Sequence, residues 1–153
     1  MRPNPRIVHA DTHRSGRLLA AAIATAMIGT ACAGSPRPVG HLIEVSVRDF
    51  KITPSASVLR SGLVSFRLHG HGPTTHELNV VGTDVPADSL PLGADGLTVD
   101  EDAGSLRWAG SVEALDIGDV QILTLRLPPG RYVLFCNLEG HYLAGMRASL
   151  TVR

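Results

Sequence analysis

Residues 131–153, RYVLFCNLEGHYLAGMRASLTVR, decide how the rest of the chain is read. Pro128-Pro129-Gly130 marks a turn, and Arg131 to Cys136 returns from it as a strand. From Met146 the residues alternate, with Met146, Ala148, Leu150 and Val152 on one face and Arg147, Ser149, Thr151 and Arg153 on the other. Period two over eight residues predicts a half-buried strand. Cys136 therefore ends one strand and Met146 begins the next, at the same end of a hairpin, with His141 in the connecting loop. Four residues separate successive members of this Cys, His, Met series.

Similar alternation recurs upstream. His41 to Val47 places Ile43, Val45 and Val47 on one face, and Gly62 to His69 sets Val64, Phe66 and Leu68 opposite Leu63, Ser65 and Arg67. His76 to Val81 is a further strand candidate, and Gln121 to Leu127 alternates Leu123, Leu125 and Leu127 with Thr124 and Arg126. No helical period runs for three turns. Short alternating strands divided by turn residues predict an all-β fold, an antiparallel sandwich or barrel. One long irregular piece, Gly82 to Gly104, holds Asp84, Asp88, Asp95, Asp100, Glu101 and Asp102 and no basic residue. A loop of that length is functional or mobile. Its composition favours a solvated insertion over a docking patch, and its aspartates lack the spacing of a calcium loop.

The 131–153 loop offers a thiolate, an imidazole and a thioether. One more donor from a neighbouring loop completes a metal site, and His76 precedes a strand in the Gly/Pro/Thr-rich stretch HGPTTH, residues 71–76. Two imidazoles, one thiolate and a weak thioether are the ligand set of a blue-copper centre, whereas structural zinc seldom uses Met. Taken singly, His76 in a polar loop reads as solvated and Met146 in a strand as core filling. It is the spacing and the shared hairpin end that make them a site. His69-Gly-His71 is a lone His-x-His pair without a full ligand set, read as a polar strand end, and His41 is read as surface.

At these residues the chain resembles the cupredoxin family, with a loop pattern most like rusticyanin and sulfocyanin among the relatives of plastocyanin and azurin. The resemblance covers 41–153 and rests on the Cys-x4-His-x4-Met loop before a terminal strand. It implies a Greek-key antiparallel β-sandwich and one type 1 copper ion, Cu(I)/Cu(II), held by His76, Cys136, His141 and Met146. Many relatives carry Asn directly after the first His, where it ties the ligand loops together. Here that residue is Glu77.

The head of the chain is of another kind. Arg2, Arg6, Arg14 and Arg17 face one acid, Asp11, and Leu18 to Thr30 is an uncharged apolar run of 13 residues. That length suits a signal peptide, since a spanning helix needs about 20. The run ends in Gly-Thr-Ala-Cys, which resembles a bacterial lipobox with Cys32 acylated, although Gly29 replaces the usual Leu. Ordinary cleavage after Ala33 is the alternative. The expected organisation is a signal peptide over 1–31, a Pro/Gly tether over 32–40 and one copper-binding domain over 41–153. Eight tether residues, 33–40, reach at most about 28 Å, so a lipid on Cys32 would keep the domain close to the membrane. Either processing leaves Cys136 as the one thiol of an exported domain, so it is a metal ligand or a buried core cysteine.

Beyond residue 32 there are 10 basic and 13 acidic side chains, and nothing suggests nucleic acid. The expected product is an exported monomer that carries single electrons. It is expected to be lipid-anchored on the outer face of the bacterial cytoplasmic membrane, or periplasmic or secreted, and to serve a membrane oxidase or a c-type cytochrome. Leu138, Tyr142, Leu143 and Ala144 would frame an exposed edge of His141. Copper storage or delivery is the alternative, opposed by the single Met beyond residue 32. Catalysis would need a second metal with an open position, for which the chain lacks ligands.

Overall fold

The computed structural model describes residues 40–153. The expected signal peptide, most of the tether and Cys32 lie outside the described residues. Nine strands follow in order: β1 His41–Arg48, β2 Lys51–Pro54, β3 Val58–Leu59, β4 Gly62–Gly70, β5 His76–Gly82, β6 Arg107–Leu115, β7 Val120–Leu127, β8 Gly130–Phe135 and β9 Arg147–Val152. Among the described residues there is no helix. One sheet has the order β2-β1-β4-β7 and the other β3-β9-β8-β5-β6.

The inward faces are those the alternation predicts. Val45 and Val47 of β1, Val64, Phe66 and Leu68 of β4, and Leu150 and Val152 of β9 are all buried in one cluster. Leu78 and Val80 of β5 and Leu134 of β8 join those of β9 on the second sheet's side of that cluster, facing β1 and β4. Each such side chain contributes about 1.5–3 kcal/mol of transfer free energy, which sets the register because a one-residue slip would expose the whole row.

The sandwich expected from the sequence is present, but its pairing is mixed rather than antiparallel throughout. β1 runs parallel to β4, with Val45 opposite Leu68, and β3 runs parallel to β9. The cause is the route of the chain. After β1 and β2 it crosses to the edge of the second sheet as β3 before returning as β4 beside β1. A crossover of about a dozen residues is what a parallel pair requires.

β6 carries no clear alternation in the sequence. Its AGS and EA stretches are poor strand formers, and its two irregularities against β5 break the period. It is held as an edge strand by pairing with β5 alone.

The segment between β5 and β6, expected as a solvated insertion, instead covers the outer face of the second sheet. Leu90, Val99 and Leu106 pack on Val81, Val133, Phe135 and Tyr142 as a second, smaller core. This explains the unbroken apolar run Tyr132 to Phe135. Tyr132 and Leu134 face the main core, while Val133 and Phe135 face the covering segment. The acids of the segment stay outside: Asp84, Asp88, Asp95, Glu101 and Asp102 are exposed.

Candidate metal centre

Cys136 follows β8 and Met146 precedes β9. The Cys136 amide donates to Met146 O at 3.1 Å, extending the β8–β9 ladder one step past Phe135 and Arg147. The nine residues between are wound into turns. The His141 amide donates to Leu138 O at 2.9 Å, and the Met146 amide to His141 O at 3.0 Å. Gly145, at φ +105°, supplies the left-handed step that brings the chain back into β9. His76 opens β5, where its backbone is paired with Leu115.

These elements bring one donor atom each from His76, Cys136 and His141 within 4.8 Å of one another. Cys136 Sγ is 3.4 Å from His141 Nδ1, and the two imidazole centroids are 5.3 Å apart. His76, Cys136 and Met146 are fully buried, and Met146 belongs to the same core cluster as Cys136. His141 is half-buried and is the part of the site that reaches the surface.

Burial dominates the electrostatics. It pushes the Cys136 thiol up, against the amides of Glu77 and Leu138, which favour the thiolate. It pulls His76 down, against the nearby Asp49 carboxylate, and His141 adds to the lowering. Neither ring nitrogen of His76 makes a well-formed hydrogen bond, although Nε2 lies 3.0 Å from Asp49 Oδ1. A buried nitrogen without a partner is costly, and a metal ion removes that cost. A soft sulfur, two imidazoles and a thioether nearby fit a single type 1 copper ion.

Glu77 does not take the place of the expected Asn with its side chain. Its amide points at Cys136 Sγ, while its carboxylate accepts from Asn79 Nδ2 at 3.2 Å. Other residues bind the ligand loop to its neighbour. Asn137 Oδ1 accepts from the Val99 amide at 2.6 Å, and the Gly140 amide donates to Leu97 O at 3.1 Å. Tyr142 was expected to frame His141 at the surface, but it is buried. Its hydroxyl donates to Ala87 O at 2.8 Å and accepts from the Leu90 amide at 2.9 Å. Arg147 caps the loop from outside, with its guanidinium 5.2 Å from the Tyr142 ring. Leu143 and Ala144 are exposed beside His141, Leu138 packs on the core, and Phe50 joins the frame with its ring centroid 5.8 Å from that of His141.

His69 and His71 lie apart from this centre. Their rings stack at 6.1 Å, and His69 Nε2 is 2.7 Å from Glu44 Oε2, which also accepts from Arg67 through Oε1. The Arg67 cation disfavours a second metal there. No sequence pattern pointed to Asp49, Phe50 or Asn137.

No family model matches the chain. Auracyanin-B of Chloroflexus aurantiacus is 45% identical over 49 residues, which is 31% of this chain and 20% of that protein. The match thus spans about a fifth of the length of the curated relative. Among solved structures, the reduced auracyanin of Roseiflexus castenholzii superposes with a TM-score of 0.56 at 18% identity, over 75% of this chain and 98% of that one. Auracyanin A of Chloroflexus aurantiacus, described as a "blue" copper protein, gives 0.50 at 17% identity, over 76% and 100%. At these identities the superpositions establish the fold.

Proposed function

We propose that this chain, a cupredoxin-like blue copper protein in its fold and ligand set, is an exported one-electron carrier. His76, Cys136, His141 and Met146 are its metal ligands in this reading. One observation carries it: a cysteine sulfur and two imidazoles converge, with His76 and Cys136 buried, and the other imidazole, His141, reaches the surface.

Copper bound to such donors cycles between Cu(I) and Cu(II) and so takes up and gives up one electron. The protein supplies a rigid frame. Cys136 and Met146 are fixed by the β8–β9 ladder and His76 by β5, so the donors need move little between the two states. The buried side chains of His76, Cys136 and Met146 would keep water from a bound ion, and the half-buried His141, with Leu143, Ala144 and Phe50 beside it, would be the side from which a partner's electron enters and leaves.

With His76, Cys136, His141 and Met146 as donors a copper ion would have no open position for a substrate, which favours a carrier over an enzyme. Copper storage or delivery is the competing reading, and buried ligands oppose it because exchange requires access. The basic head, the apolar run and Cys32 support export, with lipid attachment to the outer face of the cytoplasmic membrane or, if cleavage follows Ala33, release as a periplasmic or secreted monomer. A membrane oxidase or a c-type cytochrome is the fitting partner.

The test is to load the purified protein with Cu(II) and record visible absorption and electron paramagnetic resonance, with Cys136→Ser alongside. An intense thiolate-to-copper band, absent from the variant and bleached reversibly by a mild reductant, is expected. A colourless protein, or equal copper binding without Cys136, would refute the carrier.

A further inference from the structure

The hairpin between β1 and β2 turns through only two residues, Asp49 and Phe50, and each meets one imidazole of the site. Asp49 Oδ1 is 3.0 Å from His76 Nε2 and accepts a 2.9 Å hydrogen bond from Thr74 Oγ1, so the turn is also tied to the segment that leads into His76. Phe50 stands edge-on to His141, with an interplanar angle of 72°. Gly72 closes the assembly from behind. A Cβ there would overlap His76 Nε2 and stand 2.6 Å from Asp49 Oδ1.

Phe50 is an odd residue for this position. Its φ is +59°, in the left-handed region that bulky side chains disfavour, and it is 54% exposed. Neither backbone preference nor burial accounts for an aromatic ring here, but the contact with His141 does. Neither buried nitrogen of the His76 ring makes a well-formed hydrogen bond, but Asp49 Oδ1 stands 3.0 Å from Nε2, which leaves Nδ1 as the nitrogen for a metal.

We propose that the Asp49–Phe50 turn is the positioning element for both histidine ligands: Asp49 holds His76 through Nε2 so that Nδ1 faces the ion, and Phe50 sets the plane of His141. This rests on the copper reading above. A carboxylate behind a ligating imidazole fixes its tautomer and raises its basicity. Its negative charge also favours Cu(II) over Cu(I).

The test uses Asp49→Asn, which keeps an acceptor without the charge, Asp49→Ala, which removes both, and Phe50→Asn, which suits a left-handed turn. In the metal-free protein, nitrogen-15 shifts report the His76 tautomer, expected as Nε2–H in the wild type and as a mixture in Asp49→Ala. Asp49→Ala is expected to weaken copper binding about 10–100-fold. Asp49→Asn should keep the blue band with a raised reduction potential. Phe50→Asn should melt no earlier than the wild type yet lose copper faster to a chelator, a split that a merely structural role would not give. If Asp49→Ala does not fold, the other two variants carry the test. A blue wild type with variants of unchanged tautomer, affinity, potential and copper release overturns the proposal alone. A wild type without the blue band overturns the copper reading and this proposal with it.

Discussion

The backbone amide of Glu77 points at the sulfur of Cys136, 59 residues further on, across 3.4 Å, joining the strand that His76 opens to the Cys136–Met146 loop. An amide aimed at sulfur favours the thiolate and hence the metal-bound form. Because the donor is main chain, the contact does not depend on which side chain residue 77 carries.

Glu77→Ala should therefore leave the blue absorption in place. Removing a carboxylate that stands against the charge on Cys136 removes repulsion of the thiolate but also a charge that favours Cu(II). The second effect acts directly on the oxidation-state balance, so the reduction potential should rise. Voltammetry with the visible spectrum checks both parts.

Met146→Leu nearly conserves volume at a fully buried position, and its folding cost should stay under about 1.5 kcal/mol. The thiolate band should persist, since Cys136 and both histidines remain. If Met146 is a copper donor, as proposed, losing its weak thioether should raise the potential. An unaltered potential would remove Met146 from the ligand set.

Tyr142→Phe keeps the ring against Phe135 but deletes the hydroxyl that bridges Ala87 and Leu90. The Leu90 amide is then left buried without a partner, at a cost of about 1–3 kcal/mol. Urea unfolding should show that loss, and amide exchange should quicken between 87 and 99, where the covering segment meets the ligand loop.

Glu44 gives a pH dependence remote from the metal. The hydrogen bond from His69, helped by Arg67, holds its carboxyl below the ordinary 4.5. A carboxylate lowered on folding adds stability that is fully present above its unfolded value and is lost as pH falls through the folded one. Thermal melts of wild type and Glu44→Gln should therefore differ at neutral pH and converge in acid below that range.

The proposed lipid anchor is tested in the producing cell. Labelled fatty acid should enter the wild-type protein in the membrane fraction and be absent from Cys32→Ser. Unlabelled wild-type protein in the soluble exported fraction would instead support cleavage after Ala33.

Much of the domain is written locally in the chain. Period-two alternation around Val45, Phe66 and Leu150 names strands and inward faces without knowledge of their partners, because neighbouring side chains on a strand must point to opposite sides. The Cys136–His141–Met146 loop is legible for a similar reason: a short hairpin connection keeps close in space what is close in sequence. Other features come from residues far apart along the chain, whose meeting depends on how the two sheets pack. The parallel β1–β4 pair follows from the route through β3, and β6 becomes a strand through its edge pairing with β5. The covering segment becomes ordered only where Val133 and Phe135 offer it an apolar face. Asp49 reaches His76, and Tyr142 reaches Ala87, only after these strands are assembled. The sequence thus determined the β-sandwich and pointed to His76, Cys136 and His141, and the tertiary structure decided how they converge and which side chains from far along the chain surround them.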